Sequence, residues 1–255
     1  MKTTDIDLLP YKLFNLIYKS NFKLYSFLYS NYKKFRDRGE IALLHKIIKP
    51  GMVVVDVGAN IGFYTTLLSR LAGEGGMVHS FEPDNQNYRH LADQCKALKN
   101  VRAVRSAVGS KNGEIDLYAS DDLNVDHLSY DDHTSRRRTR VPITTLDKYL
   151  RNKSVSFIKI DTQGYEYEVL LGMQKTISSA TRIIILTEFS AFDLSRAGTN
   201  SQDYIRLVKT LRLKMYLLDG FKLKFVNDKP LLKKNSNRTV YYNLLFVKGN
   251  QSINF

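Results

Sequence analysis

The chain has 255 residues, 43% hydrophobic and 25% charged, which supplies one sizeable core and suits a single α/β domain better than two. Gly 14 and Pro 5 exclude a collagen-like or Gly/Pro-rich chain, and the single cysteine, Cys95, excludes an intramolecular disulfide or a cysteine-built zinc site. Lys+Arg 39 against Asp+Glu 25 leaves +14, an excess that attracts phosphate-bearing partners and anionic surfaces without naming one.

Residues 1–50 read as short helices with apolar stripes, among them Leu24, Phe27 and Leu28, then Ile41, Leu44 and Ile47. They form an N-terminal helical cap that ends at Lys49-Pro50-Gly51, where proline and glycine punctuate the chain. The first ten residues carry Asp5 and Asp7 and lack the basic-then-apolar order of a secretory signal, so the expected location is cytoplasmic. No run reaches the roughly 18 apolar residues of a membrane span.

Residues 51–255 form the main domain, in which strand-like and helix-like stretches alternate, the pattern of a parallel sheet with helices on its faces. Strands are predicted at 52–56, 77–82, 101–106, 155–160, 182–188, 213–218 and 239–247, and helices at 62–72, 84–98, 145–151, 164–178 and 201–211. On the second of these helices Tyr88, Leu91, Ala92, Cys95 and Leu98 share a stripe, which makes Cys95 a core residue. Lys111-Asn112-Gly113 reads as a hairpin turn before the alternating strand 114–118. Thr144 and Asp147 stand at the spacing of a helix capping box. Between Ala119 and Arg140 periodicity disappears, and so long an irregular stretch in a compact domain suits a substrate lid.

The segment Val53 to Gly62 runs from an apolar strand through a glycine turn into a helix, a geometry that lets backbone and unpaired N–H groups approach a nucleotide-like ligand. About twenty residues on, Phe81-Glu82-Pro83 places a carboxylate where a ribose diol would bind. Both a dinucleotide and S-adenosylmethionine suit these features. The order Asp56-x-Gly58-x-x-x-Gly62 lacks the G-x-G-x-x-G fingerprint, and its leading acid repels a pyrophosphate while suiting a cationic amino-acid end, which favours the methyl donor.

With these motifs the sequence resembles the FkbM family of S-adenosylmethionine-dependent methyltransferases. The matching segments are DVGANIG at 56–62, FEPD at 81–84, SAVGSKNGEIDLY at 106–118, VPITTLDKYL at 141–150 and IKIDTQGYE at 158–166, and the resemblance covers about residues 40–215. It implies the class I, Rossmann-like methyltransferase fold, a mostly parallel seven-stranded sheet with helices on both faces. It also implies methylation of a hydroxyl on a sugar or related glycosylated small molecule. Carried over by position, Asp56, Gly58, Ala59, Asn60 and Gly62 line the methionine end. Glu82 with Pro83 holds the ribose, and Ser106 and Ala107 flank the adenine, Ser106 replacing the acid found there in many class I enzymes.

Methyl transfer from a sulfonium is an in-line displacement that needs an aligned acceptor oxygen and a group to take its proton. Asp161 and Glu188 each follow an apolar strand and should emerge at the carboxyl edge of the sheet. His127, in the lid stretch, titrates near neutrality and is the third candidate. Against these stand a helix N-cap for Asp161, a satisfied structural carboxylate for Glu188 and plain surface for His127. The spacing of the three is no metal signature. An RNA methyltransferase is a second reading, motivated by the charge and by aromatics interleaved with lysines in residues 11–35, though no RNA-binding module is visible. A third is a non-catalytic module whose N-terminal helices dock on an anionic membrane or a partner, against which the intact donor motifs argue.

Overall fold

A computed structural model describes residues 16–18, 20–118, 127–128, 138–151, 153–226 and 240–249. Residues 16–18 and 20 are helical, and two helices follow, α1 (Phe22–Arg36) and α2 (Arg38–Ile47). The Asn21 side chain caps α1 by accepting from the Leu24 N–H, and Lys33, Lys34 and Arg36 in the last turn complement the negative end of its dipole.

The valine-rich run after Gly51 becomes β1 (Val53–Val57), followed by α3 (Phe63–Ala72), β2 (Met77–Phe81), α4 (Asn85–Cys95) and β3 (Val101–Val104). Residues 107–144 then form β4 (Ala107–Val108), β5 (Gly113–Tyr118), β6 (His127–Leu128) and β7 (Arg138–Thr144), which pair as a separate sheet in the order β4-β7-β5-β6. After α5 (Leu146–Leu150) come β8 (Phe157–Ile160), α6 (Glu166–Leu171), α7 (Gln174–Ser179) and β9 (Ile183–Phe189). The chain continues through α8 (Ala191–Arg196), α9 (Ser201–Thr210), β10 (Lys214–Asp219), β11 (Lys222–Phe225) and β12 (Tyr242–Lys248).

The main sheet has the order β11-β10-β12-β9-β8-β1-β2-β3. Its strands run parallel from β3 to β9, and β12 lies antiparallel between β9 and β10. The winding reverses between β1 and β8, and in open α/β sheets the crevice at the carboxyl ends of such neighbours is where ligands bind.

Alternate residues of each buried strand feed two cores. Val54, Phe157, Ile184 and Leu186 pack with Leu43 and Leu44 of α2 and Leu68 of α3 on one face. Val55, Val57, Ile158, Ile160 and Ile185 pack with the second sheet and α6 on the other. Each such side chain contributes about 1.5–3 kcal/mol when fully buried.

The structure adds an eighth strand to the expected seven. At Gly220 (φ +57°) the chain turns and β11 pairs antiparallel with β10, a hairpin that the Asp219-Gly220 dipeptide could have signalled. Three local expectations are corrected. Lys111-Asn112-Gly113 joins no hairpin, because β4 and β5 lie on opposite sides of β7. The helix expected at 164–178 is two helices, broken where a Cβ on Gly172 would collide with the Gly109 carbonyl. The cap of α5 is Thr145, whose hydroxyl accepts from the Lys148 N–H, while the Asp147 carboxylate accepts from Lys175 and Thr176 at the start of α7. Cys95 is only partly buried; Leu91 carries that stripe into the core.

Candidate active site

The turn after β1 is fastened to the end of β2. Both Gly58 and Ala59 donate their N–H to the Phe81 carbonyl, at 3.0 and 2.9 Å. Gly58 adopts φ +81°, and a Cβ there would run into the carbonyl oxygen of Asp161, so only glycine lets β1 and β8 close at this point. Asn60, at φ +51°, accepts from the Ile61 N–H at 2.7 Å and donates its own N–H to Glu82 Oε2 at 2.8 Å. Gly62, at φ +96°, opens α3.

Glu82 is buried, and its Oε1 accepts from the Asp84 N–H at 2.9 Å. The turn and the next loop therefore orient this carboxylate through backbone amides on both oxygens. With roughly four acceptor sites in all, a carboxylate so held suits two neighbouring hydroxyls. Pro83 follows directly, and Asp84 caps α4 by accepting from Gln86 and Asn87.

Asp56 is fully buried on β1. Its Oδ2 accepts from Thr65 Oγ1 at 2.7 Å, while Oδ1 has no hydrogen-bond partner among the described residues. Burial raises its pKa, against the Lys159 charge and the Thr65 bond. A buried carboxylate oxygen without a partner is costly, and a cationic ligand group nearby would offset that cost. Ser106 and Ala107 sit where β3 gives way to the second sheet. The Ser106 hydroxyl lies 2.8 Å from the Ala107 carbonyl and 3.1 Å from that of Pro142. The backbone thus absorbs the hydroxyl of Ser106.

Beside this cradle lies a network of charges. Lys159 is the lone charge in the buried strand Phe157–Ile160, in register with Asp56, and its Nζ donates to Asp161 Oδ2 at 2.8 Å. Gln163 Nε2 donates to Asp161 Oδ1 at 3.0 Å. Burial opposes ionisation of Asp161, yet the Lys159 and Lys33 charges and these hydrogen bonds outweigh it and hold the carboxyl well below the usual range. Asp161 caps no helix: Glu166 instead accepts from the Thr162 and Gly164 N–H groups, both at 2.9 Å.

Glu188, near the end of β9, is partly buried and opposite Asn243 of β12. Burial first, then the negative charges of Asp161 and Glu166, push its pKa up to about 8. Two carboxylates at one sheet edge thus carry opposite shifts.

The N-terminal helices contribute side chains that the motif reading missed. Lys33 pairs with Asp37, and Arg36 Nε bonds Asp37 at 2.7 Å. The Tyr64 hydroxyl lies 2.8 Å from Asp37 Oδ2 and 2.9 Å from Glu40 Oε2, and Asn243 Nδ2 donates to Glu40 Oε1 at 2.7 Å. Lys159 and Lys33 both stand over the Tyr64 ring, 4.3 and 5.0 Å from its centroid. A lysine inside the apolar run of residues 157–160 was the one sequence signal of this network. Further along, Tyr18 and Tyr25 pack on Ile61, so the helical cap covers the glycine turn. Of His127 only the backbone pairing with Tyr118 is described; residues 119–126 and 129–137 of the expected lid stretch lie outside the described residues, and its last three, 138–140, are strand rather than irregular, opening β7.

A sheet that reverses between β1 and β8, with a glycine turn leading into α3 and an acid directly after β2, is the architecture of the class I methyltransferase fold. The described residues suit S-adenosylmethionine: the unpaired, buried Asp56 Oδ1 would accept from its cationic end, and Glu82, oriented by two backbone N–H groups, would accept from a diol. Residues 56–220 match the family model for the methyltransferase FkbM domain, and the chain belongs to that S-adenosylmethionine-dependent methyltransferase family. The hexuronic acid methyltransferase AglP of Haloferax volcanii is 26% identical over 190 residues, which cover 71% of this chain and 72% of that protein. An S-adenosylmethionine-dependent O-methyltransferase structure from Thermotoga maritima superposes with a TM-score of 0.48 at 12% identity, over 85% of this chain and 66% of that one. A precorrin-6y C5,15-methyltransferase from Geobacter metallireducens gives 0.48 at 11% identity, over 82% and 87%.

Proposed function

We propose that this methyltransferase acts on a hydroxyl of a sugar or glycosylated small molecule, with Glu188 as the proton acceptor and Asp161 as a positioning carboxylate. The carrying observation is the placement of the two acids at the carboxyl ends of the paired strands β8 and β9: both oxygens of Asp161 are engaged, by Lys159 Nζ and Gln163 Nε2, while burial and neighbouring charge raise the pKa of Glu188. S-adenosylmethionine, when bound, supplies an electrophilic methyl group on a sulfonium. Asp56, the turn from Gly58 to Gly62 and Glu82 with Pro83 hold the donor, with Ser106 and Ala107 beside its base through backbone. Asp161 orients the acceptor oxygen, and Glu188 takes the proton as that oxygen becomes methylated. His127 is the alternative acceptor for that proton, and its substitution is the control.

The name of the Haloferax relative supports a sugar acceptor over a nucleic acid. A uronic acid offers two kinds of oxygen, and a carboxylate acceptor is already ionised and needs no base. A base at the sheet edge is of use only for the hydroxyl, and the linkage formed tells the two apart. The purified protein, given labelled donor with a host glycan fraction and a host RNA fraction, should label the glycan, and the label should resist alkali as a methyl ether does. Label in RNA, or release by mild alkali as from an ester, would overturn this reading.

A further inference from the structure

A surface helix ordinarily turns its apolar stripe to the core and its charges to water. Helix α1 is apolar on both sides. The face packed against the domain carries Tyr25 and Lys33, both buried, with Tyr29 beside them. The opposite face presents Leu24, Phe27 and Phe35, which are 45%, 65% and 74% exposed and are separated by three and eight residues. Lys23 and Lys34 stand among them, also exposed.

The same character continues onto the turn between β10 and β11. A Cβ on Gly39 would collide with the Gly220 carbonyl, so this turn is seated against the start of α2. The Arg38 guanidinium spans the junction, 5.6 Å from the Phe35 ring centroid and 5.9 Å from that of Phe221, itself half exposed. Lys222 is exposed next to it. The acids of this region are spoken for: Asp219 is paired with Lys224, and Asp37 is buried between Lys33 and Arg36.

Exposed aromatic patches of this kind mark interaction surfaces, and aromatics set among uncompensated cations match the headgroup level of an anionic bilayer. A second copy fits poorly, because a two-fold contact would set these cation rows against each other in a chain of net charge +14. No helix among the described residues is long and apolar enough to cross a membrane, so the contact would be one that lies on the surface. We propose that the outward face of α1, together with the Phe221 turn, docks this methyltransferase on an anionic membrane surface, with Phe27 and Phe35 entering the headgroup layer.

The test is co-sedimentation of the full chain with vesicles of phosphatidylcholine alone and of phosphatidylcholine with phosphatidylglycerol. The protein should partition onto the anionic vesicles, and a Phe27→Ser, Phe35→Ser double variant should bind them about tenfold more weakly or worse. Both side chains are exposed, so calorimetric donor affinity and melting temperature should match the parent and exclude misfolding. Absence of binding to the anionic vesicles at low salt would overturn the proposal. So would undiminished binding of the double variant, which would reduce the effect to long-range charge attraction. A concentration-dependent dimer that the same two substitutions dissolve would assign the face to a second copy instead.

Discussion

Lys159 and Asp161 point from the end of β8 to the same place, and their side chains meet at 2.8 Å directly beneath the glycine turn of β1. The lysine side chain is only 5% exposed, and its burial cost is outweighed by the charges of Asp161, Asp56 and Glu40, which keep it protonated. Removing it leaves three acids without their common counter-charge. Lys159→Met should therefore lower unfolding free energy by about 3–5 kcal/mol, as breaking a buried pair does. Urea denaturation reads this directly, and a loss under about 1 kcal/mol would mean that water already screens the pair.

A proton acceptor must be in its basic form, so turnover should climb as pH rises through about 8, the value to which burial pushes Glu188. Bound donor brings a positive charge and should move that midpoint downward. Glu188→Gln should lower turnover by roughly two to four orders of magnitude and abolish this limb, with donor affinity nearly unchanged. If His127→Ala removes the limb while Glu188→Gln retains it, the base is His127.

Stability carries the same signature with its sign. Between the unfolded carboxyl value near 4.5 and about 8 the native Glu188 holds a proton that the unfolded chain has released, so unfolding free energy should fall as pH rises across that window. Glu166, pushed up to about 7 by burial, adds to the same slope. In Glu188→Gln the slope should flatten, which pH-dependent denaturation would reveal; an unchanged slope would place the titration elsewhere.

Glu82→Ala should weaken S-adenosylmethionine binding by about 1.5–3 kcal/mol, roughly ten- to hundredfold, the worth of hydrogen bonds to a charged group. Because Glu82 also fastens Asn60 and Asp84, thermal denaturation must accompany the calorimetry. Glu82→Gln, which keeps the shape, should lose affinity with less loss of melting temperature.

Gly58→Ala tests the close approach of β1 and β8. A side chain at φ +81° costs about 1–2 kcal/mol on conformation alone, and the added methyl meets the Asp161 carbonyl. A fall in melting temperature together with reduced donor affinity is expected, since the turn and Asp161 must both shift.

The turn proposed to hold the donor could be read in the sequence because its geometry is local. A valine strand, a left-handed glycine turn and a carboxylate at the end of the next strand each follow from a few adjacent residues, and the alternation of strands with helices brings them together. The reading of Thr144 and Asp147 as one cap failed because Asp147 found its partners at 175 and 176, across a gap that no spacing rule measures. Glycine at 172 and the turn at 220 altered element boundaries for a related reason, the approach of distant backbone.

What the chain by itself determined was a mostly parallel α/β sheet with a left-handed glycine turn after its first strand and an acid after its second, since strand period, glycine φ and charge sign are properties of short segments. Only the tertiary structure decided which acids are paired and which are raised by burial. The Lys159–Asp161 pair is local, but Lys33, Asp37, Glu40 and Tyr64 around it come from the α1–α2 segment and from α3, and Glu40 is held in turn by Asn243 of β12. It also decided which side of α1 faces water. Aromatic residues lie all around that helix, so hydrophobic periodicity leaves its orientation open until Tyr25 is packed on Ile61 and Lys33 is drawn to Asp37. Burial and electrostatic neighbours arise from long-range packing, and they set the proton affinities on which catalysis depends.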